Sequence, residues 1–139
     1  MEEHTEKPEG TPYSQRSHYL AFNLFFVLVG IAGLLLVFSY SGPLYILVHS
    51  YGGNLTASFA FYFIIRLAVA GQGWKRAASV LVTILVTGLF EVTNGFFGIM
   101  TNVYDPLDYL ANALGVALAV AIDVFASYVL RIRKYKIRK

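Results

Sequence analysis

The chain contains no cysteine, which excludes disulfides, thiolate catalysis and cysteine-based metal sites and leaves the redox compartment open. Charge is scarce as well. Only 14% of the 139 residues are Asp, Glu, Lys or Arg, and these few sit mostly at the ends. Four glutamates fall in the first eighteen residues, and six of the eleven basic residues fall in the last nine. No serine has a His-Asp arrangement around it, and no Gly-rich phosphate loop precedes a helical run. Basic and aromatic residues are not interleaved as on a nucleic-acid surface, and the net charge of +3 does not call for one. The beginning, MEEHTEKPEGTPYSQ, is acidic and leads into a long apolar run, so a cleaved signal peptide is not expected.

What remains is apolar, with 57% hydrophobic and 16% aromatic residues. That is too much for an ordinary soluble domain and points to a bilayer, with one compact domain. A hydrocarbon core about 30 Å thick takes about 20 apolar residues of helix. Spans are expected at about 19–38, 54–70, 77–96 and 107–130. The expected fold class is therefore all-α, an integral membrane four-helix bundle in the cell membrane, multi-pass. A disordered acidic tail over 1–18 precedes the spans and a basic tail over 131–139 follows them. PLYILV at 43–48 is cut by Tyr51-Gly52-Gly53 and reads as an interfacial turn, with a re-entrant piece or a tilted extension of the second span as alternatives.

Orientation follows from basic residues. Lys7, Arg16, Lys75, Arg76 and the RIRKYKIRK tail share one side of a four-span arrangement, while the opposite loops, 40–53 and 97–106, hold no Lys or Arg. Both termini are expected to be cytoplasmic. Tyrosines at 40, 45, 51, 104 and 109 form an outer aromatic belt and Trp74 marks the inner one.

Residues three or four apart share a helix face. On that basis the second span carries Asn54, Ser58, Tyr62 and Arg66, the third Thr83, Thr87, Glu91 and Asn94, and the fourth Asp108, Asn112, Gly115, Ala119 and Asp123. Counted from the inner ends, Arg66 lies about 8 Å up and Asp123 about 12 Å, a gap an arginine can bridge as a buried structural pair. Glu91 at about 21 Å, Asn94 and Asn54 at about 25 Å and Asn112 at about 28 Å converge in the outer leaflet as an outward-facing polar cleft. An unpaired intramembrane acid costs about 2.5–3.5 kcal/mol on insertion scales, so Glu91 must be paired, protonated or wet, and it reads as a site residue. Asp105, followed by Pro106, reads as a helix cap. Asp108 fits either the acid of a first turn or a wall of the cleft, and Asn112 lies too deep for capping. Gly115 lets a neighbouring helix approach. His49 is a lone loop histidine, and the NLT sequon at 54–56 begins a span and is discounted.

Glu91-Val92-Thr93-Asn94, a short outer loop, and then Asp108-Tyr109-Leu110-Ala111-Asn112-Ala113-Leu114-Gly115 resemble the VanZ-like family of small four-span membrane proteins. The resemblance covers about a quarter of the chain, from Leu89 to Ala121. It implies roles for Glu91, Asp108, Asn112 and Gly115, and a link to resistance against the glycopeptide teicoplanin. The chain has Asn94 where the family usually has Gln and lacks the family's Asp-Lys-x-x-His motif before the second span.

The leading expectation is a non-enzymatic envelope protein whose cleft binds a cation or the polar head of a lipid-linked or amphiphilic molecule. It would have membrane lipids as partners, no cofactor and no nucleic acid, with homo-oligomers left open. The alternatives are an intramembrane enzyme on a lipid phosphate, with Glu91, Asp105 and Asp108 holding a Mg²⁺-type ion, and an oligomeric small-solute transporter.

Overall fold

The computed structural model describes residues 12–68, 76–93 and 105–137, with side chains over 17–68, 76–93 and 105–129. Among these residues there are four helices and no strand: α1 (Pro12–Ser39), α2 (Tyr45–Ala68), α3 (Arg76–Val92) and α4 (Pro106–Ile137). Each coincides with one apolar run but is cut differently. α1 starts within the expected tail, on a proline, which suits the first helical position because that N–H would lack a partner anyway. Asn94, the expected outer tyrosine Tyr104, and Lys7, Trp74 and Lys75 of the expected inner side lie outside the described residues.

The segment expected as an interfacial turn is helical from Tyr45 onward, and α2 runs without a break through Gly52-Gly53. The reason is packing. A Cβ on Gly52 would come 2.8 Å from Val37 Cγ2, so the glycine lets α1 and α2 approach rather than ending the helix. The turn itself is compressed into residues 40–44. Leu44 bears the strain there with φ 63, a left-handed conformation that costs an ordinary residue about 1–2 kcal/mol. The Tyr40 hydroxyl donates to the Pro43 carbonyl at 2.6 Å, and His49 Nε2 lies 3.0 Å from the Tyr40 carbonyl. Together they fasten the corner to the start of α2.

α2 is the central helix, packed against α1, α3 and α4. α3 also packs on α4, whereas the α1 backbone approaches only α2 among the described elements. Small residues set the close crossings. A Cβ on Gly30 would meet Ala60 Cβ at 2.6 Å. One on Gly115 would overlap the Leu55 carbonyl oxygen and Ser58 Oγ. Beside these crossings lies an apolar cluster of Val27, Phe59, Tyr62, Phe63 and Ala119, with Phe26 stacked on Phe63 at 5.0 Å between ring centroids.

The distribution of polarity is inverted relative to a protein in water. Asn23, Ser58, Ser79, Thr83, Glu91, Asp108, Asn112 and Asp123 are buried, while large apolar side chains stand outside, among them Leu36 (69% exposed), Leu85 (63%) and Phe125 (69%). Two helices, over Ser17–Ser39 and Pro106–Val129, are long and apolar enough to cross a membrane.

Candidate functional site

The buried polar groups form two clusters, one toward each end of the bundle. Eighteen positions separate Asp105 from Asp123, about 27 Å of helix, which is close to the thickness of a hydrocarbon core.

The first cluster starts at the N-terminus of α4. Asp105 Oδ1 accepts the Leu107 backbone N–H at 2.9 Å, which is N-capping geometry, and Pro106 occupies the first helical position. The other carboxylate oxygen of Asp105 accepts the Tyr51 hydroxyl at 3.0 Å, joining α2 to the cap. That bond, with desolvation adding to it, raises the Tyr51 phenol above its ordinary value, so Tyr51 remains a donor at neutral pH. One turn along α4, Asp108 is buried, with the Asn54 amide of α2 beside it. A further turn in, Asn112 Nδ2 donates to Glu91 Oε1 of α3 at 3.2 Å. Glu91 is 1% exposed and Asp108 5%. The two acids lie within electrostatic reach of each other. Asn54, Glu91, Asp108 and Asn112 are thus brought together from three helices, each acid next to an amide of a neighbouring helix. Gly115, one turn below Asn112, makes this possible by seating α4 directly on the α2 backbone.

The hydroxyls of the sequence stripes play a smaller part. Thr83 Oγ1 donates to the Ser79 carbonyl at 2.7 Å, Thr87 Oγ1 to the Thr83 carbonyl at 3.0 Å, and Ser58 Oγ to the Leu55 carbonyl at 3.1 Å. Each is satisfied by its own helix, as hydroxyls in apolar surroundings commonly are. In this first cluster it is Glu91 and the amides that reach across.

The second cluster centres on Asp123. Its Oδ2 accepts the Tyr62 hydroxyl at 2.7 Å and Arg76 Nε at 2.6 Å, and Arg66 Nε stands 3.6 Å away. Arg76 also donates from Nη2 to Ser127 Oγ at 2.7 Å. Arg66 therefore lies beside Asp123, but Arg76 holds the shorter contact. Read along the chain, Arg76 is only a basic residue of an inner loop; as the first residue of α3 it points back along α4. Asn23, 1% exposed on α1, was also hidden in the sequence by the apolar run around it. Its i, i+4 spacing from Tyr19, whose carbonyl accepts Asn23 Nδ2 at 2.7 Å, was the available signal.

Glu91, Asp105 and Asp108, the three acids of the Mg²⁺ alternative, do not gather around one point. Asp105 is committed to the cap and to Tyr51, and among the described residues no group of three His, Cys, Asp or Glu is placed to hold a metal ion. No family model, curated protein or solved structure matches this chain.

Proposed function

We propose that this chain is a multi-pass protein of the cell membrane, a four-helix bundle with both termini cytoplasmic. In this reading the Asn54–Glu91–Asp108–Asn112 cluster is an outward-facing site for a cation or the cationic head of an amphiphile. The inverted polarity supports the membrane reading, because a surface of leucine, valine and phenylalanine around buried acids and amides suits lipid rather than water. Arg66 and Arg76 at one end, and a chain that holds no Lys or Arg from Ser17 to Ile65 or from Ala77 to Leu130, support the orientation.

The observation that carries the site is the burial of two carboxylates, Glu91 and Asp108, within electrostatic reach of each other in the half of the bundle that has no lysine or arginine in its sequence. Two neighbouring buried carboxylates are stabilised in the charged form by a shared cation or relieved by a shared proton. The amides of Asn54 and Asn112 orient them. The resemblance of 89–121 to the VanZ-like family covers Glu91, Asp108 and Asn112 of this cluster, though not Asn54, and supports an envelope role, with glycopeptide tolerance the phenotype to examine.

The absence of cysteine makes topology directly testable. Single cysteines at Ser41 and at Lys136 should react with an impermeant maleimide from outside and from inside, respectively; the reverse pattern refutes the orientation. For the site, calorimetric titration of the purified protein with Na⁺, Ca²⁺ and a quaternary-ammonium amphiphile should show binding of at least one. The Glu91→Gln, Asp108→Asn double variant should lose that binding while keeping its membrane level. A double variant that binds as the parent does removes the cluster as the site.

A further inference from the structure

At the Asp123 end, two guanidiniums share one carboxylate, which leaves an excess of positive charge among the described residues. Arg76 is well engaged, with Nε on Asp123 and Nη2 on Ser127. Arg66 is not. Its side chain is 12% exposed, its Nε is buried with no hydrogen-bond partner among the described residues, and its nearest carboxylate contact is the 3.6 Å approach to Asp123. Its guanidinium lies instead over the Tyr19 ring, 5.3 Å from the centroid. A guanidinium offers five donors in a planar fork suited to carboxylate or phosphate, so a buried one resting mainly on a ring face calls for an acceptor.

Tyr19 also begins an α1 stripe that continues through Phe22 and Phe26 on the same face. Those two rings form one wall of an apolar groove of about 530 Å³ whose other wall is α4, with Ala121, Ile122, Phe125 and Ala126. The groove exists because, among the described elements, the α1 backbone packs on α2 and none covers α4 on that side. Its α4 wall runs from Ala121 to Val129, about 12 Å along the helix. A guanidinium whose Nε lacks a hydrogen-bond partner therefore stands at the level where a strip of apolar groove begins.

We propose that Arg66 and the α1–α4 groove together hold one anionic phospholipid of the inner leaflet. The phosphate accepts from the Arg66 guanidinium, and an acyl chain lies against Phe22, Phe26 and Phe125. The charge excess around Asp123 selects an anionic headgroup, and the groove selects a lipid over a free phosphate. The inference rests on the membrane reading above but not on the acidic cluster at the other end.

The test uses the full chain, reconstituted in vesicles of phosphatidylcholine alone or with about one-fifth phosphatidylglycerol, an anionic fraction sufficient to attract basic protein surfaces. The protein is then extracted gently and its retained lipid counted by native mass spectrometry. One phosphatidylglycerol per chain is expected, preferred over phosphatidylcholine by about tenfold, the effect of a charge-assisted hydrogen bond. Arg66→Gln should bring that preference close to unity. Ala126→Trp, which fills the groove and leaves the ion pairs intact, should abolish retention of either lipid, and it carries the test should Arg66→Gln fail to fold. Lys134→Gln with Lys136→Gln controls for general attraction by the basic tail and should keep the preference. Equal retention of both lipids, a preference that survives Arg66→Gln or Ala126→Trp, one that disappears with the tail lysines, or displacement by inorganic phosphate would each overturn the proposal. Carbonate extraction separates the two levels: a chain released from vesicles refutes the membrane reading, whereas one that stays but shows no preference refutes only the lipid site.

Discussion

Gly115 is where the geometry of the candidate site depends on a single missing methyl group. Its ideal Cβ position overlaps both the Leu55 carbonyl oxygen and Ser58 Oγ. The serine could rotate, but the carbonyl belongs to the α2 backbone and cannot yield unless the helix moves. Alanine there should cost about 1–3 kcal/mol, the usual range for an added methylene in a packed interior. It would also strain the flanking Asn54–Asp108 and Asn112–Glu91 contacts. Against this stands the higher helix propensity of alanine over glycine, about 0.8–1 kcal/mol, which any interior Gly→Ala change gains. Gly88 supplies the control, because a Cβ there meets nothing within 4 Å. Gly88→Ala should therefore be neutral or stabilising by up to about 1 kcal/mol. Gly115→Ala should fall below it by about 1–3 kcal/mol once the shared propensity gain cancels. Unfolding in mild detergent by titration with dodecyl sulfate, followed by circular dichroism, measures both variants on one scale. If Gly115→Ala proves as stable as Gly88→Ala, the close seating of α4 on α2 is wrong, and with it the convergence of the acids and amides.

At the other end, Asp123→Ala removes the carboxylate that faces Arg66, Arg76 and Tyr62 and should cost about 3–5 kcal/mol, since the two guanidiniums are left without their counter-ion. Tyr62→Phe, which removes only a donor, should cost about 1 kcal/mol in the same titration; equal losses would contradict a charge-centred cluster. Asp105→Ala should lower stability by about 0.5–2 kcal/mol through loss of the cap. It should speed hydrogen exchange at the Leu107 and Asp108 amides specifically, and unchanged exchange there would mean that the cap does not hold the first turn.

The four helices were legible because length and apolarity decide them, and each described helix falls on one apolar run. Their limits were not. Gly52-Gly53 read as a break, because glycine weakens a helix when nothing compensates, and the compensation, contact with Val37 on α1, is a tertiary fact absent from the local sequence. The polar stripes were legible as faces, but not which of their members would reach across. Thr83, Thr87 and Ser58 are short enough to satisfy themselves on their own backbone. Glu91, Asn54 and Asn112 have the length to meet another helix. Asp123 was readable as one half of an ion pair, yet Arg76, its shorter partner, could be found only once α3 was known to begin on that residue beside α4.

The two polar clusters differ in one respect that bears on what each can do. Asp123 is surrounded by its own countercharges, so among the described residues that end carries more cation than anion. Glu91 and Asp108 lie in the half of the chain that contributes no lysine or arginine, within electrostatic reach of each other and next to the amides of Asn112 and Asn54. Amides orient a carboxylate without neutralising it, so that end favours an added positive charge or a proton. Opposite electrostatic deficits about 16 Å apart along α4, from Asn112 to Asp123, argue that no single small ligand serves both. A cationic ligand drawn to Glu91 is repelled by the excess at Arg66, and an anionic headgroup at Arg66 is repelled by the acids. In the proposed reading the bundle is polarised along its axis, and the same distribution of basic residues that would orient it would match ligands of opposite sign to its two ends.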